Sequence, residues 1–404
     1  MSAHANPDIV DDNLVFMYDT DDGKSYKGEP TVNLATDSPS QGGWAGGREV
    51  LDSSRKKFKL IVNNFNGSAG SGQGWRSFTW DLNSYSGQSV TISATVEVPS
   101  ASPGTFAWIM MGQGNTHTNS SGAGGYMGYS AASERVQKTT TTTEHITWTG
   151  TVGSTGTASQ PSGHVGFTLW YNGGTIGVDS YVEVSNVQIE INSHATQFVN
   201  GTRSSTQGLI DRTGTSTIDI SNASFDSNAQ MTFDGTDDQL IVNNIGIDNY
   251  SEAFSYECVF KAEGTWANDR ISNIVGILGS YGGHYGLGKS GTNTISFVVR
   301  DDNYNAVSST VSDTSTYHHL VGVWDQSNSQ IRLYIDGELK SSGTVTKTGT
   351  PDSNDLRIGG RAAFGGSNGS YYHGDIPIVK YYKTALTTAE VLQNFNATKS
   401  RFGL

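Results

Sequence analysis

Residues 317–339, YHHLVGVWDQSNSQIRLYIDGEL, contain two short apolar runs with a polar turn between them and an Asp-Gly dipeptide after the second. Successive side chains of a β-strand face opposite sides, so Ile331, Leu333 and Ile335 share one face. The segment DQSNSQ is rich in residues whose side chains bond to nearby backbone, which favours a turn. Asp-Gly at 336–337 is typical of a tight hairpin. The stretch therefore predicts two antiparallel strands that lead into a third.

Short runs of the same kind recur along the chain between segments rich in Gly, Ser and Asn. Gly accounts for 50 of 404 residues, about 12% against a usual ~7%, whereas Pro contributes only 8. Many short strands joined by such turns are typical of sandwiches. The sequence therefore predicts an all-β fold made of two antiparallel β-sandwich (jelly-roll) domains.

Two strand series and a connector organise the chain. About seven or eight strands between residues 35 and 195, without a helix, match one jelly roll. The segment 193–207 reads as a connector, and a second strand series follows it. One short helix is predicted near 388–396, because Thr387 and Glu390 have the spacing of a capping box.

Charge and composition exclude several functions. The net charge of −13 and the lack of a basic cluster beyond RKKFK at 55–59 disfavour nucleic acid and anionic membranes as partners. No apolar run approaches the ~18 residues that a membrane span needs, so no membrane insertion is expected. The acidic start, MSAHANPDIVDDN, is unlike a signal peptide. Cys258 is the one cysteine, and we expect it to be a small buried apolar residue.

Motifs that would indicate catalysis are incomplete. GHYGLGKS at 283–290 matches a phosphate-binding loop, but a strand rather than a helix is predicted after it. A retaining glucanase needs paired carboxylates on one strand face, and an E-x-D-x-x-E pattern does not occur. Single Glu residues in TVEVP, YVEVS and QIEIN fit solvated faces. The sequence therefore predicts a protein that is not an enzyme.

Three tryptophans are the best candidates for stacking on sugars. Trp44, Trp75 and Trp266 lie in Gly-rich, loop-like settings, where they either bind carbohydrate or cap a core or a subunit interface. Trp108, Trp148 and Trp170 lie within strands and are expected in the core.

Three carboxylates cluster in DGTDD. Asp234, Asp237 and Asp238 form either a Ca²⁺ site, since Ca²⁺ prefers oxygen ligands, or an Asx-rich turn that opens the next strand. No other cofactor is expected.

The C-terminal half carries a family resemblance. AFSYECVFKA, YHHLVGVWDQSNSQIRLYIDGELKSSG, LRIGGR and YYHGDIPIVKYYKTALTTAEVLQNFN together resemble the concanavalin A-like, laminin-G-like jelly roll. LVFMYDTDDGKSYKGEPTVNL resembles the opening of laminin-G-like proteins in tailed-bacteriophage virions. VEVSNVQIEINSHATQFVNGTRS is similar to the junction after an inserted carbohydrate-binding-module-like sandwich in those proteins.

The resemblance implies a domain organisation. Residues 1–34 would supply the first strand of the laminin-G-like domain, 35–195 would be the inserted carbohydrate-binding-module-like jelly roll, and 196–404 would complete the laminin-G-like domain. We expect the first strand to pair with the last, because the termini of compact domains often lie close together.

The resemblance also implies a function. The protein is expected to be a non-enzymatic virion protein, an exposed capsid decoration or a tail appendage or fibre that assembles in the host cytoplasm. Its expected partners are other virion proteins, further copies of itself as a homo-oligomer, and host-surface or environmental glycans. A bacterial carbohydrate-binding-module protein is the alternative, and a glycoside hydrolase is a weaker one.

Overall fold

The structure is a computed structural model. It describes residues 8–43, 46–62, 73–99, 106–114, 135–138, 143–153, 163–172, 180–243, 245, 252–263, 274–277, 284–291, 293–300, 304–311, 313–345, 355–361 and 370–404.

The described residues form 29 strands, two short 3₁₀ turns and one α-helix. The strands before residue 204 are β1 (Leu14–Asp19), β2 (Thr31–Val32), β3 (Ser40–Gly43), β4 (Gly46–Asp52), β5 (Lys57–Val62), β6 (Gln73–Asp81), β7 (Ser89–Glu97), β8 (Phe106–Gly114), β9 (Arg135–Lys138), β10 (Thr143–Thr151), β11 (His164–Asn172), β12 (Ser180–Glu190) and β13 (Thr202–Arg203). Those after it are β14 (Thr217–Asn222), β15 (Ser224–Phe225), β16 (Met231–Asp234), β17 (Gln239–Asn243), β18 (Phe254–Ala262), β19 (Val275–Ile277), β20 (His284–Gly291), β21 (Thr294–Arg300), β22 (Tyr304–Thr310), β23 (His318–Asp325), β24 (Gln330–Ile335), β25 (Glu338–Thr344), β26 (Leu356–Ile358), β27 (Gly360–Arg361), β28 (Ser370–Tyr371) and β29 (His373–Tyr382). The helix is α1 (Thr388–Phe402).

The chain divides into two compact units, and one interrupts the other. The outer unit comprises Met1–Pro30, Ser204–Asp226 and Gln230–Leu404. The inserted unit comprises Thr31–Arg203 with the short segment Ser227–Ala229. The expected domain borders were 34/35 and 195/196. Whether the insertion folds as an independent domain stays a prediction.

In the described part of the outer unit, two antiparallel sheets enclose one core. Sheet I has the order β15-β16-β29-β18-β23-β24-β25, with β1 added beside β29, and sheet II has the order β14-β17-β26-β19-β20-β21-β22. The core between them contains Phe254, Phe297, Trp324 and Ile358, each at most 2% exposed. The predicted all-β, two-sandwich class with one short helix is confirmed.

The first strand pairs with the last, as the sequence predicts. β1 runs antiparallel to β29, with Met17 opposite Lys380 and Asp19 opposite Ile378. The carboxylate of Asp19 also receives two hydrogen bonds, of 2.6 and 2.8 Å, from the Arg401 guanidinium in α1. The start and the end of the outer unit are therefore joined by backbone pairing and by a bidentate ion pair.

The predicted hairpins at 317–339 are confirmed. β23 pairs with β24 and β24 with β25. Ile331, Leu333 and Ile335 all face the core. Asp336 and Gly337 have φ of 52° and 78°, which are the left-handed values that a type I′ turn requires.

Helix α1 begins as predicted but ends later. The Thr387 hydroxyl accepts from the Glu390 N–H at 3.3 Å and the Glu390 carboxylate accepts from the Thr387 N–H at 2.7 Å, so the capping box is confirmed. The helix continues to Phe402 and ends at Gly403, whose φ of 71° suits a C-cap. Its apolar side covers the outer face of sheet I through Val391.

In the described part of the inserted unit, two five-stranded sheets form a second sandwich. Sheet III has the order β10-β7-β12-β5-β4 and sheet IV has the order β3-β6-β11-β8-β9. Phe58, Ile92, Phe167 and Val182 are fully buried between them. The chain enters the inserted unit at Thr31 and leaves it at Arg203. These two residues are directly opposed in the antiparallel pair of β2 and β13.

A candidate glycan-binding face and an acidic cluster

Of the three tryptophans predicted to bind sugar, one lies in the described part of the chain. Trp44 and Trp266 fall outside the described residues, so their assignment stays a prediction. Trp75 lies within β6 of sheet IV and not in a loop.

Three tryptophans occupy neighbouring register positions across sheet IV. Trp170 of β11 is directly opposite Trp75 of β6 on one side and directly opposite Trp108 of β8 on the other. Directly opposed residues of antiparallel strands lie on the same face of the sheet. The three positions therefore form a row across three consecutive strands, which we call the tryptophan row.

The core side of sheet IV is identified by its buried residues. In β11, Val165, Phe167 and Leu169 are fully buried in the core. Phe167 is directly opposite Phe78 of β6 and Met111 of β8, which are also core residues.

The expected core location of Trp108 and Trp170 stays a prediction, because their side chains lie outside the described part of the structure. Alternation within one strand does not say which of its two faces is buried, and only the pairing across the sheet shows that three tryptophan positions coincide. Trp148, in β10, is partly buried against the core as expected.

Polar residues occupy the register positions on both sides of the tryptophan row. Gln73 pairs with Asn172 on one side. Ser77 pairs with Thr168 on the other, and Thr168 is also opposite Met110. Two amide residues and two hydroxyl residues thus occupy the flanking register positions in β6 and β11, and Met110 occupies one in β8.

The second candidate site is the cluster Asp234, Asp237 and Asp238. One carboxylate oxygen from each lies within 4.8 Å of the others. Asp238 is 4% exposed, and it accepts from the Asp234 N–H at 2.6 Å and from the Ser224 hydroxyl at 3.2 Å. Burial raises the pKa of Asp238, and the charges of Asp234 and Asp237 add to that effect.

The local geometry of this cluster fits both interpretations that the sequence leaves open. The Asp234 carboxylate accepts from the Thr236 N–H at 2.7 Å, which is an Asx turn at the end of β16. Three converging carboxylates are also ligands that suit Ca²⁺. Because both oxygens of Asp238 already accept protein hydrogen bonds, an ion would take its ligands mainly from Asp234 and Asp237. The Ca²⁺ assignment stays a prediction.

Two of the single glutamates noted in the sequence lie next to each other, which sequence reasoning missed. Glu97 of β7 is directly opposite Glu183 of β12 on the outer face of sheet III. The Glu183 carboxylate is bound by the Lys57 ammonium at 2.5 Å. This ion pair gives Glu183 a structural partner on the outer face of sheet III.

The third of these glutamates is buried and not solvated. Glu190 accepts hydrogen bonds from Thr31, Gln188 and the backbone and hydroxyl of Thr196 at 2.8 to 2.9 Å. These bonds join the strand that enters the insertion to the segment that leaves it. Glu190 therefore holds the junction together.

A group of fully buried charged residues lies between sheet I and α1. Glu257 of β18 accepts from the Lys380 ammonium at 2.6 Å, and His319 Nε2 lies at 3.1 Å from the same oxygen. The other oxygen accepts from the Asn394 amide at 2.6 Å. Burial opposes ionisation of Glu257, but the charge of Lys380 and the hydrogen bonds outweigh it and lower the pKa to about 2.

In its described part, the chain has an antiparallel β-sandwich fold in each of its two units. Residues 234–392 match the family described as the Concanavalin A-like lectin/glucanases superfamily. The outer unit therefore contains a concanavalin A-like, laminin-G-like domain, as the sequence predicts.

Solved structures with some likeness to the chain include a neurotoxin binding domain and a domain of an arabinanase. The binding domain of botulinum neurotoxin serotype D is 15% identical, with a TM-score of 0.36 over 47% of this chain and 49% of that one. Domain 4 of AbnA, a GH43 extracellular arabinanase from Geobacillus stearothermophilus solved in complex with arabinotriose, is 16% identical, with a TM-score of 0.37 over 46% of this chain and 91% of that one.

The chain spans about half the length of the neurotoxin binding domains that it matches. A search among curated proteins finds no match to the sequence. In the described part of the chain, no helix combines the length and the apolar character that crossing a membrane requires.

Proposed function

We propose that this protein is a non-enzymatic, glycan-binding structural protein exposed on the virion of a tailed bacteriophage, as a capsid decoration or a tail appendage. The observation that carries the binding function is that Trp75, Trp170 and Trp108 occupy directly opposed register positions on three consecutive strands of sheet IV. Aromatic rings supply large, rigid contact area at low entropic cost, and their faces suit the apolar faces of sugar rings. The concanavalin A-like domain of the outer unit supports the same function.

Three of the described glutamates have structural partners, which supports the proposal of binding without catalysis. Glu257 is buried against Lys380, Glu190 holds the junction, and Glu183 is paired with Lys57.

The virion location rests on the resemblance of the opening strand and of the junction after the insertion to laminin-G-like virion proteins. The arrangement of the chain agrees with it, since β1 completes sheet I and the insertion leaves through the β2–β13 pair. Symmetric mounting on a particle also favours a homo-oligomer with other virion proteins as partners.

A glycan array probed with the purified full chain tests the binding function. We expect retention on a restricted set of glycans and no release of reducing ends from them. Retention on no glycan would overturn glycan binding, and release of reducing ends would overturn the non-enzymatic assignment.

Mass spectrometry and antibody labelling of purified tailed-phage particles, from a lysate in which this chain is made, test the location. We expect a fixed copy number per particle and labelling of the capsid or tail surface. Recovery of the chain only in the particle-free fraction would exclude the virion role and favour a free carbohydrate-binding protein.

A further inference from the structure

We infer that the edge strand β22 is an interface between two copies of this chain, which pair their β22 strands antiparallel and join their two copies of sheet II into one continuous sheet. This inference rests on the homo-oligomer that the proposed function includes, and it specifies the interface. It requires neither a glycan nor a particle, so its test and the tests of the proposed function can fail separately.

β22 is an open edge of the outer unit. It is the last strand of sheet II, and within the described residues no strand pairs with its second side. Ser308 and Thr310 are exposed. Proteins protect such edges with charged residues, proline or bulges, because the unpaired backbone groups bind other strands. β22 has none of these: its sequence YNAVSST is uncharged, and its register with β21 is unbroken.

Two other edge strands of the outer unit are protected. β14, at the opposite edge of sheet II, contains Asp219, and its pairing with β17 shifts in register between Asp219 and Asn222. β25, at the edge of sheet I, also has a register shift and carries the ion pair of Glu338 with Lys340. The comparison indicates that β22 is the edge left open for another strand.

The hydrogen bonds beside β22 show which of its backbone groups are available. The Val311 N–H donates to the Asn293 carbonyl at 2.9 Å, in the same register as the pair of β21 and β22. Bonding alternates along an antiparallel strand, so residues 305, 307 and 309 direct their backbone groups towards β21. Residues 304, 306, 308 and 310 direct theirs away from the sheet.

A second copy satisfies these groups symmetrically. When two β22 strands overlap over all 7 residues, the two-fold axis passes beside Val307. Ala306 is then opposite Ser308 of the partner subunit, and Tyr304 is opposite Thr310 of the partner subunit. Each such pair exchanges two backbone hydrogen bonds, so about eight bonds form across the axis.

Val307 brings the hydrophobic core to this edge. It is 5% exposed and belongs to the core of the outer unit. Gly343 of β25 lies against it, since a Cβ at Gly343 would be 3.2 Å from Val307 Cγ1. On the axis, Val307 and its symmetry mate form a non-hydrogen-bonded pair, in which side chains approach closely. The cores of the two copies therefore meet there.

The size of this side of the sandwich sets the expected strength of the dimer. Strands of this length and two sheets ~10 Å apart, with their side chains, give a surface of about 24 Å by 20 Å. Two such surfaces bury about 1,000 Å², the lower limit for a specific interface, so we expect a reversible dimer. Each copy has a net charge of −13, and uncharged strands therefore suit the approach of two copies.

Sedimentation velocity of the full-length protein from about 1 to 100 μM tests the inference, and we expect a concentration-dependent equilibrium of monomer and dimer. Ala306→Pro removes an outward N–H from each copy without removing a backbone hydrogen bond to β21. Ser308→Lys adds two like charges near the axis. Each change should weaken dimerisation about 10-fold or more.

Ser221→Lys is the matched control. Ser221 is an exposed serine on β14, the opposite edge of the same sheet, so this variant should dimerise like the wild type. Thermal melting should show that all three variants are folded. If Ala306→Pro fails to fold, the comparison of Ser308→Lys with Ser221→Lys decides the matter.

A symmetric cross-link locates the axis. Val307→Cys places two thiols opposite each other with their Cα atoms ~4.5 Å apart, a separation that suits a disulfide. The natural Cys258 is buried and does not compete. Diamide takes up the two thiol hydrogens and is reduced as the disulfide forms. We expect a covalent dimer on a non-reducing gel from Val307→Cys and none from Ser221→Cys.

Two results would overturn the inference. A wild-type protein that stays monomeric at ~100 μM would do so, and would leave the edge to a strand of another protein. A dimer that Ala306→Pro and Ser308→Lys leave intact, and that Val307→Cys does not cross-link, would place the interface elsewhere. Neither result changes retention on a glycan array or recovery with particles, so the rest of the proposed function would still stand.

Discussion

At the scale of single residues, the buried ionic group between sheet I and α1 is expected to affect stability strongly. Glu257, Lys380 and His319 are fully buried, on three neighbouring strands. Removing two charges from water is costly, and attraction between them offsets the cost only when each has its partner. The three residues are therefore stable in the interior only together. Removal of one of them should lower the free energy of unfolding by more than a single contact contributes.

Replacing Lys380 with Met tests this. Met removes the cation and leaves Glu257 buried beside apolar groups, so we expect a loss of ~3–5 kcal/mol in the free energy of unfolding at pH 7. Urea denaturation of both proteins measures the difference. Lys261→Met, on the same sheet, is the control, because the Lys261 side chain is 30% exposed and its pair with Glu263 should contribute below ~1 kcal/mol. Equal losses in the two variants would contradict the argument.

The same group makes a pH dependence predictable. The unfolded chain protonates Glu257 near its ordinary pKa of 4.5, whereas the folded protein holds that pKa at about 2. In that window the unfolded state binds more protons, so stability is lost as the pH falls from about 4.5 towards 2. This contribution to the acid dependence should disappear in Lys380→Met. Unfolding curves of both proteins measured across that window would show it.

Sequence reasoning identified some of these residues and missed others for a definable reason. Cys258 is buried as expected, and burial raises the pKa of its thiol. Glu257 and Lys380 occupy alternating polar positions that normally face water. Their burial depends on α1 packing over sheet I, which neither strand encodes locally. The tryptophan row was missed likewise, since it exists only once β6, β11 and β8 pair.

At the scale of secondary-structure elements, the sequence predicts strands, turns and helix ends well wherever neighbouring residues alone determine them. The hairpins around 317–339 follow from alternation and turn residues, and the start of α1 follows from Thr387 and Glu390. The end of α1 was placed too early because residues 397–402 have no strong apolar period. Its last turns are held instead by Arg401 binding Asp19, a contact between opposite ends of the chain.

At the type I′ turn between β24 and β25, the cost of a left-handed backbone and the cost of a steric clash can be measured separately. Gly337 has φ of 78°, and a Cβ there would lie 2.8 Å from Phe395 Cδ1 of α1. Gly214 has a similar φ of 75°, but a Cβ there would meet nothing within 4 Å. Gly214→Ala should therefore lower the free energy of unfolding only by the cost of holding an L-residue in the left-handed conformation, ~1–2 kcal/mol.

Gly337→Ala should cost more than Gly214→Ala, because it adds a clash with Phe395 to the same backbone term. We expect the difference to be ~1–3 kcal/mol, the usual cost of overpacking. Thermal unfolding of the two variants beside the wild type gives both values. If Gly337→Ala were no worse than Gly214→Ala, the helix would not be pressed against the turn as the structure describes.

At the scale of the whole molecule, the chain is one sandwich interrupted by another. The interruption is compatible with folding because entry and exit are adjacent: Thr31 and Arg203 are a directly opposed pair. Asn33 reinforces this pair, since its side chain donates to the carbonyls of Val187 and Val199 at 2.9 and 3.0 Å. The insertion therefore closes on itself at its own base, which makes it removable in principle.

Excision of the insertion is the prediction that follows. Directly opposed residues of an antiparallel pair are only ~4.5–5.5 Å apart at Cα, so residues 30 and 204 can be joined through Asn-Gly, which favours a two-residue turn. The shortened chain keeps both β1 and β29, and we expect it to unfold in one cooperative transition. A second variant that also lacks residues 8–19 should lose this transition, because it removes the strand beside β29 and the Arg401 partner. Calorimetry of the two shortened chains and of the isolated segment 31–203 tests this prediction. If the first shortened chain fails to fold while the segment 31–203 melts cooperatively, the outer unit needs its insertion and is not an autonomous sandwich.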